Sequence, residues 1–196
     1  MRILLVLALS ALPLACERVD FKMDQAPPPT TFAGLQKLPG PPPSGPCTFA
    51  SVTLLVDSLK PIVLGDSATL RFPPLWQISK PLPGDDKYTD VRLALPGGNR
   101  VQIQRERDGR GRSWMKYPSG VDAEGTTCSL DRGQTGAIWS LYLPDPQDTS
   151  RALKYVAFGS VMTPAGLWYR VFLSTTSAAD QSRFASTLTE AMLLPQ

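Results

Sequence analysis

The hydrophobic pattern divides the chain into three textures. Residues 3–9 are an unbroken apolar run, Ile3 to Leu9. Residues 17–46 are polar and proline-rich, without a helical or strand period. From Cys47 onward the apolar positions become dense and periodic. Val52–Val56 and Ile62–Leu64 are short apolar runs. Ala68, Leu70 and Phe72 alternate with Thr69 and Arg71, the period of a strand with one buried face. Pro73-Pro74 stops that strand, and Leu75-Trp76 follows. Val91, Leu93 and Leu95 alternate in the same way. The turn residues Pro96-Gly97-Gly98-Asn99 come next, and Val101 and Ile103 alternate on the return, which predicts a β-hairpin.

Asp108-Gly109-Arg110-Gly111 marks a second turn leading into Ser113–Tyr117. Ala137–Leu143 reads as a strand ended by Pro144. Ser150–Phe158 fits either one long strand or a short helix running into a strand. Thr163–Gly166 is a turn. Leu167–Thr175, aromatic and β-branched throughout, is the clearest strand. The last element is a helix. Ser177 is placed to cap it, and Asp180 sits three residues later, where it complements the helix dipole. Phe184, Leu188, Ala191 and Met192 recur at helical spacing and should bury one face, with Arg183 and Glu190 in solvent and Pro195 beyond the end. Antiparallel strands followed by a terminal amphipathic helix predict an α+β fold: an antiparallel sheet with the helix packed on it.

Composition narrows the chemistry. The chain has 196 residues, 42% apolar and 19% charged, enough for a globular core. Proline is high at 20 residues and histidine is absent. Without histidine there is no Ser-His-Asp triad, no His metal ligand and no side chain that titrates near neutrality in its ordinary state. Lys and Arg number 20 against 17 Asp and Glu, so bulk charge gives no sign of nucleic-acid binding. No cofactor or metal is expected, and no enzymatic activity.

The first residues address the chain. Met1-Arg2 is a positive start, and the apolar run after it is too short for a membrane span, which needs about 20 residues. It fits the core of an export signal. The end of the segment, Leu12-Pro13-Leu14-Ala15-Cys16, resembles the lipobox of bacterial lipoproteins, with Pro13 where that family usually has Leu. The resemblance implies a signal peptide over residues 1–15 and a diacylglyceryl group on Cys16, which becomes the mature N-terminus. Acyl burial at about 0.8 kcal/mol per CH₂ would then hold the protein on a membrane. By resemblance to Gram-negative sorting rules, Glu17 rather than Asp after the cysteine favours the outer membrane, where such a membrane exists.

Residues 16–46 read as a lipidated cysteine and its tether. Pro27-Pro28-Pro29 and the run Pro39–Pro46 exclude helix and central strand, and an extended chain at about 3.1 Å per residue would span several tens of Å. Phe21, Phe32, Leu35 and Leu38 are the exceptions, apolar side chains able to dock on the domain or a partner. Residues 47–196 remain as one globular domain. Lipidating Cys16 leaves Cys47 and Cys128, an even pair able to form a disulfide in an oxidising compartment.

A second resemblance concerns that domain. Leu70–Trp76 resembles the strand–Pro–Pro–x–Trp opening of PsbP/Mog1-like domains, although the family typically has Gly where Leu75 stands. The Gly166 turn, the strand to Thr175 and the Phe184-bearing helix resemble that family's ending. The resemblance implies a PsbP-like sandwich and a binding or assembly role, and it maps no functional residue.

Candidate chemistry is sparse. Ser113-Trp114-Met115-Lys116 matches S-x-x-K, but its companion motifs are missing and a strand would point Ser113 and Lys116 to opposite sides. Asp85-Asp86 and Asp145-x-x-Asp148 are paired acids on Pro-flanked loops, where Asp ordinarily bonds its own backbone. Arg100 to Lys116 is locally basic. Arg105, Arg107, Arg110 and Arg112, with Trp114 beside them, are candidates for gripping an anionic group. The alternative is a solvated hairpin whose charges deter edge pairing. Trp139, Tyr142, Trp168, Tyr169 and Phe172 are either core or a ligand platform. The expectation is a membrane-anchored envelope lipoprotein, facing the periplasm or the cell surface, that binds another envelope protein or supports a complex. The alternative is a lipoprotein binding an anionic lipid headgroup or cell-wall polymer.

Overall fold

A computed structural model describes residues 43–64, 68–81, 89–106, 126–144 and 155–194. The strands are β1 (Lys60–Leu64), β2 (Ala68–Phe72), β3 (Gln77–Ile78), β4 (Val91–Ala94), β5 (Arg100–Arg105), β6 (Thr126–Arg132), β7 (Thr135–Tyr142), β8 (Tyr155–Met162) and β9 (Trp168–Thr175). One helix, α1 (Ala178–Leu193), follows them. Strands β1 and β2 form a hairpin of their own. The other seven make one sheet in the order β3-β4-β5-β9-β8-β7-β6. Every pairing between these strands is antiparallel. The fold is α+β, as the hydrophobic pattern predicts.

Strand alternation decides what each face does. Val101 and Ile103 of β5, Tyr169, Val171 and Leu173 of β9, Ala157 and Val161 of β8, and Ala137 and Trp139 of β7 share one core. Helix α1 lies against β7, β8, β9 and β2, and contributes Phe184, Leu188, Ala191 and Met192 to that core. The four apolar helix positions expected at 3.6-residue spacing are all buried. Ile62, Leu64, Leu70 and Phe72 of the β1–β2 hairpin complete it.

Turn chemistry sets the registers. Pro96–Gly98 forms a 3₁₀ turn between β4 and β5, with Gly97 and Gly98 at φ 77° and 76°, where a Cβ would be strained. Asn99, 1% exposed, locks this turn to the start of the helix. Its Nδ2 donates to the Pro96 carbonyl at 2.7 Å and to Asp180 Oδ2 at 3.3 Å, and its Oδ1 accepts from Thr176 N at 2.8 Å. Ser177 Oγ accepts from Asp180 N at 3.1 Å, the cap read from the sequence. The helix also buries polar side chains that the apolar pattern does not announce. Gln181 Nε2 donates to the carbonyls of Val156 (2.6 Å) and Tyr142 (3.3 Å) at the ends of β8 and β7. Thr189 Oγ1 accepts from Trp139 Nε1 at 2.9 Å.

Trp139 and Gly159 are cross-strand partners. The indole lies over Gly159 so closely that a Cβ there would stand 2.7 Å from Cη2. Glycine makes room for the ring under α1.

Four details go beyond the hydrophobic pattern. Val52–Val56 forms no strand: residues 51–55 are irregular and Val56–Ser58 is a 3₁₀ turn. The Ser58 side chain donates to the Leu55 carbonyl at 2.7 Å, and this local bond draws the backbone out of an extended course. Strand β6, TTCSLDR, is too polar to announce itself. Glu190 is only partly in solvent, because Arg132 of β6 reaches it in an ion pair. The tail of the Ser150–Phe158 segment is strand β8 from Tyr155 onward. Asp85, Asp86, the 108–111 turn, Ser113–Tyr117, Asp145 and Asp148 lie outside the described residues.

Candidate docking groove

An open groove of about 520 Å³ runs along the first turns of α1. Three loops and the helix build it. One wall is the irregular segment from Val52 to Leu59. Leu54 of this segment packs against the core, whereas Leu55 points out and is 72% exposed. The opposite wall is the Pro73-Pro74-Leu75-Trp76 turn, closed by Trp76 N donating to the Pro73 carbonyl at 3.0 Å. Two prolines stop β2, and the turn lifts Leu75 to 72% exposure. Trp76 turns inward, stacked on Phe72 (centroids 5.5 Å apart) and edge-on to Phe184 (6.0 Å). Pro96, Phe184, Thr187 and Arg183 complete the lining.

Among the described residues Arg183 is the one charged member of the lining. Its side chain is 54% exposed and held at two points. Nη2 donates to Asp180 Oδ1 at 2.6 Å, and the guanidinium sits 4.7 Å from the Phe184 ring centroid, a cation–π distance. Asp180 is itself held by the Asn99 side chain and by Thr176 Oγ1 at 3.4 Å. The groove is therefore apolar, open and marked by one oriented cation.

Cys47 and Cys128 are disulfide-bonded, with Cα atoms 4.8 Å apart. The bond joins the domain's entry to strand β6, and hydrogen bonds flank it. Ser44 N donates to the Thr127 carbonyl (2.7 Å), Cys47 N to Ser129 (2.9 Å), and Ser129 N to Gly45 (3.0 Å), with a parallel bridge between Pro46 and Ser129. Residues 44–47 thus cover the outer edge of β6, a position that would otherwise offer unpaired backbone groups.

The basic candidates are only partly placed. Arg105 ends β5, half-buried, and its backbone N–H donates to Asp90 Oδ2 at 2.6 Å. Arg107, Arg110, Arg112 and Trp114 lie outside the described residues, as does Cys16. The root of that stretch is fixed. Glu106 N donates to the Trp168 carbonyl at 2.9 Å, and Arg170 places Nε and Nη2 on the two Glu106 carboxylate oxygens at 2.9 and 3.0 Å. The aromatic residues divide between faces. Trp139 and Tyr169 belong to the core under α1. Tyr142 packs with Phe158, and Phe158 with Phe172, on the other face. Trp168 packs with Met162 there too. They do not form a single ligand platform.

Among the described residues no group of three Cys, Asp or Glu side chains converges as a metal site, and no helix is long and apolar enough to cross a membrane. No protein-family model matches the chain, and no curated protein is significantly similar to it. The groove was missed in the sequence, although two signals point to it. Val52–Val56 is an apolar run without a partner strand in the pattern, and Leu75 occupies a turn position where a polar residue or glycine is usual.

Proposed function

We propose that the protein is an exported, lipid-tethered, non-enzymatic module that docks another protein of the cell envelope. The observation that carries this reading is the open groove flanked by Leu55 and Leu75, two large apolar side chains left mostly in water beside a compact core. Clustered exposed apolar groups around a concavity are the usual mark of an interaction site. The lipobox-like end at Cys16 supports a membrane anchor, and the disulfide fits an oxidising compartment.

Two measurements test the proposal. Intact mass of mature protein from membranes should show Cys16 as the acylated N-terminus, and Cys16→Ser should release or mislocalise the domain. An unmodified Cys16 in membrane-derived protein would end the tether reading. Pull-down from solubilised membranes should recover a protein partner with wild type and lose it with Leu55→Ser/Leu75→Ser. Both sites are exposed, so that variant should change stability by no more than about 0.5 kcal/mol per site. Co-purification of a lipid or glycan in place of a protein, indifferent to the two leucines, would favour the anionic-ligand reading instead.

A further inference from the structure

We propose that the groove recognises a peptide segment in which a large apolar side chain is accompanied by a carboxylate. The apolar group seats between Leu55, Leu75 and Trp76, and the carboxylate lies on Arg183. This rests on the groove being the docking site and adds what docks there.

Charge is the first argument. Among the described residues Arg183 is the single charged member of the lining, and its partner Asp180 is not part of that lining. A cationic partner group would meet the guanidinium first, at a Coulombic cost that the paired Asp180 offsets only in part and that rises as the contact dries. A carboxylate meets a donor that is already oriented. Arg carries five N–H donors in a rigid fork, and Asp180 takes one of them, through Nη2. Stacking on Phe184 fixes the plane of the fork, so little further side-chain entropy is lost on binding.

Shape is the second argument, and it separates a peptide from a fatty acyl chain with a carboxylate head. Small apolar ligands bind where 70–90% of their surface is enclosed. Here the two walls end in Leu55 and Leu75, each 72% exposed, so a single alkyl chain would leave them largely wet. Protruding leucines are covered instead by the side-chain relief of another polypeptide, as in the desolvated centre of a protein interface.

The test is selection of a random phage-displayed peptide library on the full mature chain. Wild type, Arg183→Gln, Arg183→Glu and Leu55→Ser/Leu75→Ser are compared, and the fold of each variant is checked by circular dichroism. Peptides enriched on wild type should combine Leu, Ile, Phe or Trp with Asp or Glu. They should bind about tenfold more tightly than the same peptides with Lys at the acidic position. Arg183→Gln should abolish that preference, and Arg183→Glu should invert it. Groove-dependent peptides with no acidic preference, or with one unchanged in Arg183→Glu, overturn this inference and leave the docking site standing. Peptides bound equally by the double leucine variant overturn the docking site as well. Failure of any peptide to enrich, with dodecanoate protecting the groove residues from exchange, assigns the groove to an acyl ligand and also overturns the inference.

Discussion

Gly159→Ala is the sharpest probe of the core. A Cβ at residue 159 would lie 2.7 Å from Trp139 Cη2 and 2.8 Å from Cζ2 and Cζ3, against ordinary carbon contacts near 3.5–4.0 Å. The ring would have to retreat by roughly an ångström. It has nowhere to go. Trp139 is 0% exposed, Phe49 stands edge-on to it at 6.1 Å, and Thr189 on α1 holds its Nε1. Overpacking of this kind costs about 1–3 kcal/mol, and stretching the indole hydrogen bond adds up to about 1 kcal/mol. Against that, Ala restricts the unfolded chain and returns about 0.4–1 kcal/mol. The middle of these ranges gives a net destabilisation of about 2 kcal/mol, read as a lower urea midpoint at unchanged slope. The cause is tested in the Trp139→Leu background, where the smaller side chain leaves room for the methyl. There the Gly159→Ala penalty should largely vanish, a coupling above about 1 kcal/mol. A neutral Gly159→Ala, or an equal penalty in both backgrounds, would refute the claim that the ring occupies this space.

Two further substitutions test the polar joints. Asn99→Ala removes a buried amide that serves the Pro96 carbonyl, Thr176 N and Asp180 together; denaturant unfolding should show a loss of about 1–3 kcal/mol, and an unchanged midpoint would mean water replaces it freely. Glu106→Ala takes away the carboxylate that receives two N–H groups of the buried Arg170; the expected loss is about 1.5–3 kcal/mol, and Glu106→Gln should recover part of it because one acceptor oxygen remains.

Period and turn chemistry made much of the fold legible. Strands β2, β4, β5 and β9 carry apolar residues at alternate positions, and α1 carries them at helical spacing behind a Ser cap. The inward-looking residues are buried, apart from Ala68 at the start of β2, which is partly buried. Strand β6 was hidden because its stabilisation lies in backbone pairing, the disulfide and the Arg132–Glu190 pair, none of which leaves an apolar period. The Val52–Val56 run misleads for the opposite reason. Its composition suits a strand, but local bonds at Ser58 and burial of Leu54 give the segment another course. The groove depends on that course and on the β1–β2 hairpin, whose paired ends Lys60 and Phe72 send the two walls out side by side. Pro96 and α1, which complete the lining, come from farther along the chain, and no period in the sequence announces that meeting. Arg183 reads as an ordinary solvent-facing helix residue until Phe184 and Asp180 are seen to orient it.

The disulfide acquires a more specific role from where it sits. The chain passes from residues 44–47 on the β6 edge directly into the segment that becomes the groove wall. Phe49 leans on Trp139 along the way, and Ala50 N donates to Ser182 Oγ of α1 at 3.1 Å. The groove lies toward the other end of the sheet, by the β4–β5 turn and the chain entering β3. A pull on the chain before Pro43 would therefore run into the groove wall unless something upstream bears it. The Cys47–Cys128 bond and the bridge to Ser129 bear it at β6. Sequence separation across the bond is 81 residues, worth up to about 4–5 kcal/mol if loop entropy alone is counted. Cys47→Ser/Cys128→Ser should thus lower the melting temperature by several degrees. If the clamp isolates the wall, the loss is not uniform. Amide exchange at Ser44, Cys47, Ser129 and Ala50 should accelerate far more than exchange in β8 and β9, because those bonds open locally once the edge is free to peel. A uniform change across the sheet would reduce the disulfide to a global staple. Fast exchange confined to residues 44–47, with Ala50 unaffected, would show that the groove wall holds its own position without the clamp.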